Sequence, residues 1–346
     1  MIEIKENDTL DGGEDIGISC VREMFTEFPE VMKLIENVEV NCKRSNTAEV
    51  AYERYSKILD EYQEQPHLLD PHLDTMLTAL VKIVKDCEEV DDLAHYCFKY
   101  IYFITKVRGH KVVVRHLPHE VNDLEKILKM LEAQNPTDIN TWCSRYVLLL
   151  WLSIIVMIPF HMSRIDSFTR QEGERKSIID RILDVCKKFI IAGDSCKNAA
   201  IFLASRFFIR ADVRQEHLDG FLDWCCVELT DMESGWKGLE PVASILKHGK
   251  REDLLPYAPK LLRWNLDSGF RSSKNALIRK FSIKVVQRIA RVATWRYKRG
   301  NRSLATNLNS TGGKNENLKA SGEEMDEDDD VEASAQLTCL ISNACL

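Results

Sequence analysis

The run VLLLWLSIIVMI, residues 147–158, constrains this chain more than any other segment. It is twelve residues long, and a bilayer-spanning helix needs roughly 18 to 20. It is too short to cross a membrane and too apolar for the surface of a soluble helix. A helix that is hydrophobic all round has to be enclosed by other helices. Pro159 follows it, and Arg145 and Arg164 lie outside it. The expected setting is a central helix walled in by its neighbours, as in a stacked helical array.

The rest of the pattern is helical nearly throughout. Asp70-Pro71 reads as an N-cap followed by a first-turn proline. Behind it Leu73, Met76, Leu77, Leu80 and Val84 recur at helical spacing. Leu93, Tyr96, Cys97, Tyr100, Ile101, Ile104 and Val107 form a second stripe. Lys106 and Arg108 close it, where the helix dipole favours cations, and Gly109 suits the stop. A third stripe follows Pro118 with Val121, Leu124, Leu128 and Leu131, and others fall at 178–190, 198–209, 213–229 and 239–247. The strand-like stretch Val112-Val113-Val114 is too short to found a sheet.

The clearest repeat unit covers 253–290. Leu254, Leu255, Ala258, Leu261 and Leu262 face one way in its first half, with Pro256 tolerable near the helix start. Leu277, Phe281, Val285 and Ile289, supplemented by Ile278 and Val286, form the stripe of its second half. Two helices in about 38 residues resemble a HEAT repeat, a unit that buries its apolar faces by stacking on the next. The expected fold class is therefore all-α, an α-solenoid of HEAT/armadillo-like antiparallel helix pairs. The expected organisation is an acidic, disordered N-terminus at 1–15, a helical-repeat domain at 16–302, and a tail at 303–346. That tail reads as a flexible linker rich in Asn, Ser, Gly and Thr, then EEMDEDDDVE, with eight acids in ten residues, and an apolar LTCLISNACL.

Composition adds limits. The 346 residues fit one elongated domain or two compact ones, and a formal net charge of −7 bears on solubility rather than on a partner. The start, MIEIKENDTLDGGED, shows no secretory h-region. Eleven cysteines form no C-x-x-C and are read as reduced, part-buried thiols. The sequons at Asn7, Asn301 and Asn309 then carry no meaning, and Cys345 is too close to the last residue for a prenylation signal.

No catalytic constellation emerges. Gly313-Lys314 and His248-Gly249-Lys250-Arg251 do not make a phosphate loop, and His119-Glu120 has Asp123 where a zincin needs its second histidine. No catalytic, cofactor-binding or metal residues are assigned, no cofactor is expected, and the protein-binding residues stay unassigned. Trp142, Trp151, Trp224, Trp236, Trp264 and Trp295 fall mostly in helical stripes, where core packing is the expected role.

One electrostatic feature stands out. Between 271 and 302 the basic residues are Arg271, Lys274, Arg279, Lys280, Lys284, Arg288, Arg291, Arg296, Lys298, Arg299 and Arg302, with no Asp or Glu among them. A helix of that length spans roughly 48 Å, so neighbouring charges fall within a Debye length of about 8 Å. Three readings stay open: a solvated face partly neutralised by the acidic tail, a dock for an acidic protein, or a nucleic-acid site. A pI near 5.8 and the lack of a reader fold count against the last.

RYVLLLWLSIIVMIPF at 145–160, KVRGHKVVVRHLPHEV at 106–121, FLDWC at 221–225, HGKREDLLPYAP at 248–259 and WRYKRGNRSLATNL at 295–308 resemble the N-terminal part of the tubulin-folding cofactor D family. The likeness covers about residues 20–331, and DEDDDV falls where that family carries an acidic linker. The passage 289–295 is shorter than the family pattern, and the family continues through many more repeats, so the chain reads as a truncated or alternatively ended form. The resemblance implies a cytoplasmic, cytoskeleton-associated, non-enzymatic chaperone. It implies that β-tubulin, an Arf-like small GTPase and tubulin-folding cofactors E and C are partners, with a part in α/β-tubulin heterodimer assembly and disassembly. It further implies GTPase activation together with the partner cofactors, and neither a nucleic-acid partner nor a transmembrane segment. The alternative is a generic HEAT-type scaffold docking an acidic protein through the basic strip.

Overall fold

The apolar stripes have helical counterparts, except that the helix expected from Asp253 is broken by a 3₁₀ turn at Leu255–Tyr257 that holds Pro256 and leaves Leu255 half-buried, and no strand occurs among the described residues. The structure is a computed structural model describing residues 22–169, 176–193, 195–229 and 237–309, with the backbone alone at 167–169 and 294–309. The expected N-terminal segment 1–15, the linker beyond 309 and the acidic run, Gly313-Lys314, Trp236 and the side chain of Trp295 lie outside the described residues. The chain divides into two compact units, residues up to 87 with 91–116, and 88–90 with 117 onward.

The first unit holds α1 (Phe28–Glu36), α2 (Val38–Cys42), α3 (Ser45–Asp60), α4 (Leu73–Asp86), α5 (Asp92–Arg108) and α6 (His110–Val113). Helix α5 packs against α3 and α4. Tyr55, Leu59, Leu77, Leu80, Ile101 and Ile104 are fully buried between these three helices. Asp91 caps α5 by accepting the Ala94 N–H at 2.8 Å. Gly109 ends α5 at φ +92°, a backbone conformation that disfavours residues with a Cβ. The strand-like valines form the single turn of α6, with Val113 and Val114 buried.

Asp70 does not cap α4. It sits in a 3₁₀ turn, Pro66–His72, and α4 begins after His72. Arg108 forks onto its carboxylate, with Nη2 donating to Oδ2 at 2.7 Å and Nε to Oδ1. Two charge-assisted bonds outweigh one bond to an orphan amide. The same bonds hold the Asp70 carboxyl below the usual carboxylate range.

The second unit holds α7 (Val121–Ala133), α8 (Trp142–Ile155), α9 (Met162–Thr169), α10 (Ile178–Ala192), α11 (Lys197–Phe207), α12 (Ala211–Cys226), α13 (Leu239–His248), α14 (Arg251–Leu254), α15 (Ala258–Asp267) and α16 (Ala276–Asn309). The backbone of α16 continues past Arg302 without a break. The packing passes from α7 to α8, α8 to α11, α11 to α13, and α13 to α16, with α10 beside α11.

Helix α8 is the enclosed helix of the apolar run. Val147, Leu148, Leu149, Leu150, Trp151 and Leu152 are all 2% exposed or less. Trp151 Nε1 donates to the Pro118 carbonyl at 2.6 Å, so its one polar atom is satisfied. Arg145, charged but 1% exposed, donates to Thr141 Oγ1 at 2.9 Å and to the Asp138 carbonyl, closing the turn before α8.

Beyond α8, Arg210 performs the same service for the other end. It donates to the carbonyls of Val156, Ile158 and Phe160 at 3.0, 2.6 and 2.6 Å, and forks onto Asp212 at 2.7 and 3.0 Å. A helix end leaves carbonyls without intrahelical donors, and Pro159 supplies no N–H to the turn that follows. Asp212 also accepts the Met162 N–H at 2.9 Å. The described cysteines are free thiols, six of them buried. Burial pushes the Cys226 thiol up to about 12, so it stays protonated at neutral pH.

Candidate protein-interaction surface

The C-terminal helix pair of the second unit positions the basic strip. Phe270 packs edge-on against Trp264 with ring centroids 5.4 Å apart, turning the chain from α15 toward α16. Asn275 Oδ1 accepts the Leu277 N–H at 2.9 Å, starting α16. The buried line of α16 is Ser282, Val285, Ile289 and Val292.

This corrects the stripe read from the sequence. Leu277 is 51% exposed, and Ile278, Phe281 and Val286 are only half-buried. The reason is a buried polar lock. Asn265 of α15 donates Nδ2 to the Ser282 carbonyl at 3.1 Å and accepts the Ser282 hydroxyl at 2.8 Å. Both residues are nearly solvent-free, at 1% and 3%. The lock places Ser282 on the seam, one turn before Val285, and leaves Leu277 off it. A hydroxyl on a seam is invisible to an apolar count, so periodicity alone selected the wrong first member.

The basic residues sort into two kinds. Arg279 donates to the Ser273 and Lys274 carbonyls at 2.6 and 2.9 Å, completing the turn before the helix. Arg288 reaches the Ala243 carbonyl on α13, and burial lowers its pKa. Those two hold the fold together. Arg271, Lys274, Lys280 and Arg291 are exposed, and Lys284 is half-exposed with its ammonium 5.2 Å from the centre of the Phe281 ring. Leu277 and Ile283, each 51% exposed, flank this cationic ridge. The side chains of Arg296, Lys298, Arg299 and Arg302 lie outside the described residues.

Two cations elsewhere in the unit illustrate the contrast, each held by acids. Arg181, on α10, is forked onto Glu132 of α7 at 2.8 and 2.7 Å and bonds Glu125 at 2.9 Å. Lys260 reaches Asp219 at 2.9 Å and Asp223 at 2.6 Å. The arrangement on α16 can therefore do what theirs cannot, namely attract an anionic surface that also offers apolar side chains.

The first unit carries a groove that the sequence did not announce. It encloses about 710 Å³ between α1, α2 and α3, lined among others by Leu34, Asn37, Asn41, Asn46, Val50 and Arg54. Arg54 forks onto Glu30 at 2.6 and 2.9 Å along its edge. No spacing rule marks three amides around a valine as a groove, so no sequence signal pointed to it.

The rejected motifs do not assemble. His119 is exposed ahead of α7, Glu120 stands at that helix's start, and Asp123 is buried in its first turn. Among the described residues no group of three His, Cys, Asp or Glu is placed to hold a metal ion. His248 ends α13, half-buried, with burial lowering its pKa and Nδ1 3.0 Å from the Ser244 carbonyl. No helix among the described residues is long and apolar enough to cross a membrane.

The family model for the tubulin-specific chaperone D-like ARM repeat matches residues 59–229, a stretch that runs from the end of α3 past α12. Over those residues the chain is similar to the tubulin-specific chaperone D-like ARM-repeat family. The helix pairs packed around α5, α8 and α11 are the structural content of that match. Two curated relatives agree. The tubulin-specific chaperone D of Dictyostelium discoideum is 24% identical over 395 aligned residues, covering 79% of this chain and 27% of the relative. The tubulin-folding cofactor D of Schizosaccharomyces pombe is 25% identical over 239, covering 67% and 19%. The chain thus spans about a quarter and about a fifth of the length of these two relatives. No solved structure matches it.

Proposed function

We propose that the chain is a tubulin-folding chaperone of the cofactor D type that works by binding β-tubulin. The observation that carries this reading is the family match across the ARM-type helix pairs at 59–229, joined to relatives whose names state a role in tubulin folding. On this reading the protein takes part in assembling and disassembling the α/β-tubulin heterodimer in the cytoplasm and associates with the cytoskeleton. An Arf-like small GTPase and tubulin-folding cofactors E and C are its further partners. Any stimulation of GTP hydrolysis is exerted on a partner's active site, without catalytic residues of its own. The alternative, a scaffold that docks acidic proteins in general, draws on the cationic ridge of α16 rather than on the family match.

The experiment is a pull-down of purified β-tubulin and, separately, of the small GTPase by the whole chain. An acidic protein of matched charge serves as control. Enrichment of β-tubulin over the control is the expected result. Equal recovery of tubulin and control would overturn the chaperone reading and leave the scaffold.

A further inference from the structure

The ridge on α16 is unbalanced in a way that calls for a specific counterpart. Lys274 and Lys280 have no ion-pair partner among the described residues, and no Asp or Glu occurs anywhere from 268 to 315. At 100° per residue, Leu277, Lys280, Ile283, Lys284, Gln287 and Arg291 share one arc of the helix, away from the buried line of Ser282, Val285, Ile289 and Val292. Cations spaced within about a Debye length repel one another. Two half-exposed aliphatic side chains beside them give the face an apolar component as well.

We propose that this face of α16 is a docking surface for an acidic peptide and that its occupant is the chain's own segment 323–332. Charge complementarity is the first argument. The segment EEMDEDDDVE opposes eight carboxylates to Lys274, Lys280 and Lys284, and its two apolar residues, Met325 and Val331, are available to Leu277 and Ile283.

Reach is the second. Thirteen residues, 310–322, separate Asn309 at the end of α16 from Glu323. Fully extended they span about 43–47 Å. Arg291 lies 18 residues back along the helix, about 27 Å at ~1.5 Å per residue. The segment therefore reaches the near end of the ridge with slack remaining. Laid antiparallel to α16, its ten residues extend a further ~33 Å. The ridge from Arg291 back to Lys280 is only about 17 Å long. Tethering at this length gives an effective concentration on the order of millimolar, so contacts of modest strength suffice. An acidic protein partner must then displace an internal competitor to reach the ridge. The inference stands on the charges and lengths of this chain and does not depend on tubulin being the partner.

Zero-length carbodiimide coupling of the whole chain, read by mass spectrometry, tests the contact. Amide cross-links between the carboxylates of 323–332 and the amines of Lys280 and Lys284 are expected, suppressed at about 0.5 M salt. An equal mixture of isotope-labelled and unlabelled chain keeps the two sources apart. Cross-links within one label support the proposal, and cross-links between labels overturn it in favour of a second copy. A deca-glutamate peptide carrying a fluorophore tests the competition. Changing the eight acids to Gln and Asn raises its affinity by ~10-fold or more, and adding Lys280→Glu with Lys284→Glu removes the gain. Lys280 is exposed and Lys284 half-exposed, and a far-UV spectrum of each variant confirms folding. Equal peptide affinity with and without the eight acids, or coupling of the segment chiefly to lysines of other helices, would overturn the proposal.

Discussion

Helices α8 and α16 sit in the same unit, share a period, and have opposite surroundings. Helix α8 has neighbours on every side, and even its arginine is folded into protein hydrogen bonds. Helix α16 buries one line of side chains and keeps cations and two large aliphatics outside. The difference lies in the breadth of the apolar arc. A broad arc demands enclosure and leaves no room for binding. A narrow arc leaves a face whose chemistry is free to differ from that of the core. In ARM-type pairs, stability and recognition can thus be assigned to different helices of one stack.

That contrast can be broken at several strengths. Trp151→Ala, at the centre of α8, should cost about 3–5 kcal/mol in chemical denaturation. A loss below about 1 kcal/mol would mean that α8 is not the keystone its burial implies. Arg210→Ala leaves Asp212 and three carbonyls beyond α8 without their donor, and about 3 kcal/mol should be lost.

The Arg210 effect also has a pH signature. Burial pushes the Asp212 carboxyl up, but the bonds from Arg210 and the Met162 N–H prevail and hold it below the ordinary value. A group with a depressed folded-state pKa stabilises fully above its unfolded value, and that contribution fades as pH falls through the folded value. The stability gap between the parent and Arg210→Ala should therefore narrow in acid. A gap independent of pH would assign the effect to packing and carbonyl bonding alone.

On α16 the expected effects shrink. Asn265→Ala strands the Ser282 hydroxyl in the seam and should cost about 1–3 kcal/mol. Leu277→Ala, on the exposed arc, should stay within about 0.5 kcal/mol of the parent. A larger loss measured on the whole chain would show that something covers this face, which would sharpen the case for an internal occupant.

Much of this was legible beforehand. The apolar run at 147–158 required enclosure, and α8 is enclosed. The stripes behind Pro118 and at 178–190, 198–209, 213–229 and 239–247 became helices within three residues of their expected ends, because several apolar residues at one period outvote any local preference. Single polar residues were not legible. Asp70 had a capping position and a distant arginine to choose between, and only the fold brought Arg108 to it. Arg145 and Arg210 look like surface charges in the sequence, yet they serve as donors to backbone that helix ends leave open. The basic strip read as one feature, but Arg279 and Arg288 belong to the scaffold and their neighbours to the surface.

The amino-acid order by itself determined that this chain makes paired helices and which of them is enclosed, since apolar spacing is a local property of the sequence. The tertiary structure alone decided the rotation of each helix about its axis, and with it which charges face outward. That rotation depends on contacts such as Asn265 with Ser282, between groups that the sequence keeps 17 residues apart.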